Sequence, residues 1–261
     1  MVSLVYMVAG MSSRFGGKPK QMAKIGPNNE TLIEYSVNQA IKQDFTKLIF
    51  ITNKNTQYLF ENIFGDSYKG KQVLYIEQKY DRNVRIRPWG TTDAICCLLG
   101  KINEACIIVN GDDIYGEKSF KEGFDLLKTN NYNIMGGLKV IKTMPENGKV
   151  NRGIIDIDNY YVIGLKEELN ISKNENPELM NKYGNVNFIG LQYDTIFLLN
   201  NILEEFKEKH KNESKLEILL PNNLNELIKK NLIKMKFFEI ENNVFGLTNP
   251  EDEIIIKNKL K

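Results

Sequence analysis

Four short apolar runs, at residues 4–9, 48–52, 73–77 and 105–110, recur through the first half of the chain, separated by segments with apolar positions at helical spacing. The runs are rich in Val, Ile, Leu, Phe and Tyr and too short for core helices, so they read as buried strands. The intervening segments at 32–42, 57–64 and 92–102 read as amphipathic helices. Thr31-Leu32-Ile33-Glu34 opens the first of them as a capping box, in which Thr31 and Glu34 satisfy each other's orphan amide donors. Strands joined by helical crossovers of this length cannot be hairpin partners. They specify a mostly parallel, doubly wound α/β sheet with helices on both faces. Ligands in such sheets bind outside the carboxyl ends of the strands. The residues just after each strand are therefore the place to look for function.

The second half is more β-rich. Strands are predicted at 134–142, 153–157 and 162–166, with turn signals such as Glu146-Asn147-Gly148 between them. Residues 167–185 are polar and rich in Asn, Lys and Glu, which reads as a mobile surface loop. A further strand at 186–193 leads into a charged amphipathic helix near 194–211. Asn249-Pro250-Glu251-Asp252 is a well-formed helix start, with a capping Asn, a first-turn Pro and acids that complement the dipole. No Gly-, Ser- or Pro-rich linker divides the chain and no repeat is visible, so residues 1–261 are expected to form a single domain.

Composition removes several function classes. With 35 Lys+Arg against 33 Asp+Glu the net charge is +2, and the electrostatic case for a nucleic-acid partner is absent. The single histidine, His210, excludes multi-histidine metal sites, and its charged helical surroundings mark it as a solvated surface residue. The three cysteines, Cys96, Cys97 and Cys106, are odd in number, lack CxxC spacing and lie in apolar, core-like segments, which indicates a reducing compartment. The amino-terminal run lacks a basic leader, and no apolar run approaches membrane-spanning length. A cytoplasmic protein with no membrane partner is expected.

Two segments carry chemistry. Gly10-Met11-Ser12-Ser13-Arg14-Phe15-Gly16-Gly17-Lys18-Pro19-Lys20-Gln21 follows the first strand, where small residues let backbone amides approach a phosphate and Arg14, Lys18 and Lys20 supply cations. It is neither a P-loop nor a GxGxxG fingerprint. At the end of the fourth strand stands Asn110-Gly111-Asp112-Asp113. Carboxylates there suit Mg²⁺, and because neighbours on a strand face opposite ways only one is expected to reach the metal. The chain has only five arginines. Three of them, Arg82, Arg85 and Arg87, lie just before Trp89-Gly90-Thr91, a placement that suggests bidentate phosphate or carboxylate recognition.

Together these segments resemble the sugar-1-phosphate nucleotidyltransferases, or NDP-sugar pyrophosphorylases. The resemblance is carried by the 8–21 loop, Gly26-Pro27-Asn28-Asn29-Glu30-Thr31, Arg87-Pro88-Trp89-Gly90-Thr91 and Val109-Asn110-Gly111-Asp112-Asp113-Ile114-Tyr115-Gly116, followed in order by Arg152-Gly153, Asn187-Phe188-Ile189-Gly190 and Phe245-Gly246-Leu247-Thr248. It implies a three-layer α/β/α sandwich with a mostly parallel mixed sheet, of the glycosyltransferase-A-like, nucleotide-diphospho-sugar transferase type. The first 130 or so residues would form a nucleotide-binding half and the rest an acceptor-binding half with a C-terminal helix.

The resemblance also implies roles. Ala9, Gly10, Met11, Ser12 and Ser13 would bind the triphosphate with Arg14. Lys20 would stabilise charge at the α-phosphate, and Gln78, Gly90 and Thr91 would hold the nucleoside. Asp112 would hold Mg²⁺, while Arg152, Gly153, Glu167 and Asn187 would meet the acceptor. The partners would be an NTP, with pyrimidines favoured, and a small phosphorylated acceptor such as a sugar 1-phosphate; a homo-oligomer is compatible with it. Ser12 replaces the loop's usual second glycine, Glu168 stands where the family commonly has a sugar-site lysine, and the Phe245 segment where many members have a second metal aspartate. These departures keep open a cytidylyltransferase acting on a non-sugar phosphomonoester such as phosphocholine, and a catalytically silent regulatory homologue.

Overall fold

Strand β1 (Val2–Met7) shows why a sheet forms at the centre of this chain. Val2, Leu4 and Tyr6 enter one apolar layer and Val5 enters the other, so the strand is buried on both faces. Strands β2 (Lys47–Thr52), β4 (Lys71–Glu77) and β5 (Ala105–Asn110) lie beside it, and the pairs β4–β2, β2–β1 and β1–β5 are all parallel. The computed structural model describes residues 1–10, 19–145, 148–241, 245–247 and 252–260.

The sheet has ten strands in the order β3-β4-β2-β1-β5-β10-β7-β11-β9-β8, where β3 is Ser67–Tyr68, β7 is Asn133–Lys139, β8 is Val150–Asp158, β9 is Tyr161–Ile171, β10 is Tyr183–Leu191 and β11 is Met235–Glu239. The sheet is mixed, as expected, but parallel pairs predominate only in its first half. The parallel block occupies the first half, and beyond β5 only β11–β7 is parallel, while β10–β5, β10–β7, β11–β9 and β8–β9 are antiparallel. A separate two-stranded ribbon pairs β6 (Asp113–Ile114) with β12 (Phe245–Gly246).

Helices cover both faces. On one, α1 (Leu32–Ala40), α2 (Gln57–Phe64) and α4 (Glu117–Thr129) pack Val37, Phe60, Phe64, Phe120 and Phe124 onto the sheet. On the other, α3 (Thr91–Cys96), α6 (Tyr193–Lys209) and α7 (Leu220–Lys229) contribute Ile95, Leu199, Leu203 and Leu224. Two further helices, α5 (Val140–Thr143) and α8 (Asp252–Leu260), complete the set among the described residues. None of these helices is long and apolar enough to cross a membrane. The capping box forms as expected: Thr31 N–H donates to Glu34 Oε2 at 2.8 Å and Glu34 N–H to Thr31 Oγ1 at 3.3 Å.

Three expectations are corrected. Residues 167–185 are not a loop: β9 continues to Ile171, a 3₁₀ turn spans Pro177–Leu179, and β10 begins at Tyr183. The β8–β9 hairpin lies at the sheet's edge, where polar residues are tolerated on an exposed face, so its pattern loses the apolar signature of a central strand. The helix expected at 92–102 stops at Cys96, and the chain turns through Gly100 at φ 70°. His210 is half-buried at the carboxyl end of α6, its ring 4.5 Å from that of Phe206, and is not a fully solvated residue. Cys96 and Cys106 are buried and Cys97 half-buried, all as free thiols. The Glu146-Asn147 turn and the Asn249-Pro250-Glu251 helix start lie outside the described residues.

Candidate functional site

The carboxyl ends of β1, β2, β4 and β5 open onto one cavity of about 1150 Å³. Ala9 and Gly10 enter its wall from the end of β1, Gln78 from the end of β4, and Asp112 from just beyond β5. A 3₁₀ turn at Lys20–Met22 brings Lys20 and Gln21 to the same wall, and the amino end of α3 brings Gly90 and Thr91. Seven residues expected to serve the nucleotide half therefore share one cavity. Met11, Ser12, Ser13 and Arg14 lie outside the described residues.

The Lys20 ammonium lies 3.4 Å from Asp112 Oδ2, with both side chains partly exposed at the cavity wall. Asp112 reaches this position because β5 ends at Asn110 and the next residue, Gly111, packs against Val8, where any added Cβ would collide with Val8 Cγ1. Asp113 turns the other way. Its Oδ2 accepts from Asn110 Nδ2 at 2.9 Å and lies 3.3 Å from the Tyr115 hydroxyl, which itself donates to Val186 O at 2.9 Å. Burial, and then repulsion from Asp112, raise the Asp113 carboxyl above the usual carboxylate range. The adjacent acids are thus split: one lines the cavity and the other is half-buried behind it.

Mg²⁺ takes oxygen ligands and is commonly held by one or two carboxylates together with substrate phosphates and water. A part-exposed Asp112 carboxylate on a cavity wall fits that donor chemistry. Among the described residues no cluster of three or more His, Cys, Asp or Glu could hold a metal by itself.

At the far side of the cavity Gln78 is 6 % exposed, its backbone N–H extending the β2–β4 ladder to Thr52 O at 2.9 Å. Gln78 Nε2 donates to Gly90 O at 2.8 Å and to Asp93 Oδ2 at 2.9 Å. Gly90 has φ 112°, and a Cβ there would stand 2.5 Å from Ile218 O, so both conformation and space demand glycine. Thr91 Oγ1 accepts from Leu220 N at 2.8 Å, a contact that ties α3 to α7.

The four residues expected at the acceptor do not line this cavity; they lie on β8, β9 and β10. Gly153 is in register with Glu167, and a Cβ at Gly153 would be 3.5 Å from both Glu167 Oε2 and Asn185 Cβ. Asn187, at φ 58°, sits in the irregularity of β10 between Asn185 and Phe188, its N–H donating to Asn185 Oδ1 at 2.9 Å. Arg152 is the notable member. Its Nε is buried without an acceptor, and its guanidinium has no ion-pair partner among the described residues. Burial lowers its pKa against the opposing fields of Asp113 and Glu167. An unsatisfied buried N–H of this kind is costly unless a ligand or water completes it. Glu168 is engaged by Lys166 at 2.6 Å. The Phe245–Gly246 backbone pairs with Ile114 and Asp113, which brings the C-terminal motif beside the acidic pair; Thr248 lies outside the described residues.

The arginine cluster divides. Arg82 and Arg87 line the cavity, with Arg87 paired to Glu217 at 3.2 Å. Arg85 is instead a structural clamp: 2 % exposed, its guanidinium 3.3 Å over the Trp89 ring, it donates to Arg87 O, Glu213 O and Leu216 O. The sequence reading missed Asn53, which lines the cavity and whose Nδ2 donates to Ala9 O at 2.8 Å, fixing the start of the glycine loop. Searching just after each strand would have found it, since it follows β2. It also missed Asp93 and Lys207, for which no local signal exists because they meet across 114 positions of sequence.

Comparison with known proteins agrees with this geometry. A family model described as "Nucleotidyl transferase" matches residues 16–182. No curated protein matches the sequence. Among solved structures the chain resembles a putative glucose-1-phosphate thymidylyltransferase from Bacillus anthracis (TM-score 0.73, 13 % identity, covering 100 % of this chain and 95 % of that one). It also resembles the inositol-1-phosphate CTP transferase of T. maritima (0.69, 14 %, 100 % and 96 %). A nucleoside-diphosphate-sugar pyrophosphorylase from Vibrio cholerae is similar too (0.70, 18 %, 99 % and 100 %). At these identities the likeness shows the fold, which is that of the nucleotide-diphospho-sugar transferases.

Proposed function

The chain belongs to the nucleotidyl transferase family, and from that premise we propose that it transfers a nucleoside monophosphate from an NTP to a phosphorylated small molecule, releasing pyrophosphate. The observation that carries this reading is the meeting of Lys20, Asp112, Gly10 and Gln78 at one cavity on the carboxyl edge of the sheet. An oxygen of the acceptor phosphate attacks the α-phosphorus in line, and the bond from that phosphorus to the departing pyrophosphate breaks. Such transfers need positioning and charge neutralisation more than acid–base groups, so a site without histidine suffices. Ala9 and Gly10 lie where backbone amides meet phosphate, and Lys20 neutralises charge developing on the α-phosphate. Asp112 holds Mg²⁺, which when bound shields the phosphate oxygens from one another. Arg14, with Met11, Ser12 and Ser13, completes the triphosphate loop in this reading.

Gln78, Gly90 and Thr91 form the nucleoside corner, with a pyrimidine favoured. Arg152, Gly153, Glu167 and Asn187 form the acceptor half, within one nucleotidyltransferase domain. The acceptor we favour is a sugar 1-phosphate. The carboxylates of Asp113 and Glu167 beside Arg152 support a second reading, a cytidylyltransferase whose phosphomonoester carries a cationic group, as phosphocholine does. We place the reaction in the cytoplasm, where NTP is supplied and the three thiols stay reduced.

The first test is a thermal-shift screen of the four ribonucleoside triphosphates and dTTP with Mg²⁺, followed by pyrophosphate release with a panel of phosphomonoesters. Ligands that bind the folded state raise its apparent stability. Nucleotide stabilisation without turnover on any acceptor would favour the silent homologue, and no stabilisation by any nucleotide would remove the proposal.

A further inference from the structure

Gln78 has one possible amide orientation. Its two Nε2 neighbours, Gly90 O and Asp93 Oδ2, are a carbonyl and a carboxylate, and each can only accept. Turning the amide over would set Oε1 against two acceptors at hydrogen-bonding distance. Both Nε2 protons are therefore used, and among the described residues nothing donates to Oε1. Since Gln78 lines the cavity, Oε1 is the polar atom that it has left to offer there.

Asp93 is fixed from its other side. Its side chain is 6 % exposed, and Lys207 of α6 donates to Oδ1 at 2.9 Å. Burial alone would lower the Lys207 pKa, but the bond to Asp93 and its charge outweigh this and raise it, so the lysine keeps its charge against Asp93. A buried carboxylate with one oxygen on a lysine and the other on an amide has little freedom to move. Asp93 does not itself line the cavity.

We propose that Asp93, anchored by Lys207, is a specificity-determining positioning residue: it locks the Gln78 amide so that the cavity meets the nucleobase with an acceptor and selects bases whose edge presents an N–H at that point. This rests on the cavity being the nucleotide site. Without Asp93 only Gly90 O would oppose turning the amide, and a glutamine that turns presents its N–H to bases of the opposite polarity. A site that demands a donor discriminates strongly, because the wrong base leaves a buried polar group unpaired.

The test is calorimetric binding of ATP, GTP, CTP, UTP and inorganic tripolyphosphate, each with Mg²⁺, to the wild-type chain and to Asp93→Asn, with Lys207→Gln as a second variant should Asp93→Asn fold poorly. Asparagine keeps the shape but can offer Gln78 either an acceptor or a donor. In the wild type the tightest nucleotide should exceed the weakest by well over tenfold. Asp93→Asn should compress that ratio by about tenfold, the scale of one buried hydrogen bond, while tripolyphosphate affinity changes less than about twofold because its contacts are to phosphate. Lys207→Gln should compress it in the same direction. An unchanged ratio in both folded variants, or a wild type that binds all four nucleotides equally, would overturn the proposal. A parallel loss for every ligand, tripolyphosphate included, would mark Asp93 as merely structural. A wild type that binds neither nucleotide nor tripolyphosphate would instead remove the nucleotide site itself.

Discussion

Lys20 and Asp112 are 92 positions apart in the sequence, and the Lys20 ammonium lies 3.4 Å from the Asp112 carboxylate. The pair sits at the wall of the cavity where β1 and β5 end, a cation and an anion that a metal-bound triphosphate would engage separately. Neither is deeply buried, with side-chain exposures of 18 % and 31 %, so the pair adds little to stability.

Lys20→Ala should lower kcat more than it raises KM for the NTP, because the lysine's charge acts mainly as charge develops on the α-phosphate. By analogy with removal of an oxyanion donor the loss should be about 10²–10³ in rate. Steady-state kinetics at saturating acceptor provide the check, and a near wild-type kcat would remove Lys20 from the reaction.

Asp112→Asn should abolish turnover, by about 10³ or more, while leaving the thermal midpoint close to wild type, since an amide is a poor Mg²⁺ ligand and the position is part-exposed. Asp113→Asn should cost less activity, because this carboxyl turns away from the cavity toward Asn110 and Tyr115. Equal losses of activity in both variants would refute the single-ligand assignment.

Arg152→Ala should raise KM for the acceptor at least about tenfold, the scale of a lost charge-assisted contact, while NTP affinity by calorimetry stays within about twofold. The buried, unsatisfied Nε is the reason. Removing it takes away an unsatisfied buried N–H, so stability should hold near wild type. Loss of NTP affinity with an unchanged acceptor KM would show that the two halves are assigned the wrong way round.

A stability prediction comes from the opposite edge of the sheet, where Glu104 accepts from Ser3 Oγ at 2.6 Å and from Lys47 Nζ at 2.8 Å. Burial pushes the Glu104 carboxyl up, but these bonds outweigh it and bring the group from 4.5 down to about 2. A carboxyl depressed in the folded state stabilises fully above its unfolded value, and that contribution disappears as pH falls from 4.5 toward 2. The upper bound is about 3 kcal/mol. Urea unfolding across that range should show a steeper acid loss for wild type than for Glu104→Gln, which starts less stable at neutral pH. Parallel curves would contradict the assignment.

What could be read from the sequence follows how local each signal is. The first-half strands are apolar on both faces and stand out as continuous runs, and the Thr31–Glu34 cap lies within four residues. The split between Asp112 and Asp113 was expected from strand alternation, but it arises in the turn between β5 and β6. The cores of β8 and β9 were legible, but the continuation of β9 through 167–171 was hidden because that edge is polar and solvated, and β11 because Met235, Phe237 and Phe238 make too short a run among lysines. Arg85 resembles a phosphate ligand until Trp89 is seen beneath its guanidinium. The lock on Gln78 depends on Lys207, on the far side of the fold, and only packing brings them together.

The central claim is that one cavity binds an NTP and transfers its nucleotidyl group to a phosphomonoester, and the most direct measurement is pyrophosphate release by the purified chain with Mg²⁺, each NTP, and a panel of sugar 1-phosphates and phosphocholine, run beside Asp112→Asn. The account predicts release that requires both an NTP and a matching acceptor, favours one base, and falls to background in the folded Asp112→Asn protein. Release that is undiminished in Asp112→Asn, or its absence with every pair, would contradict it.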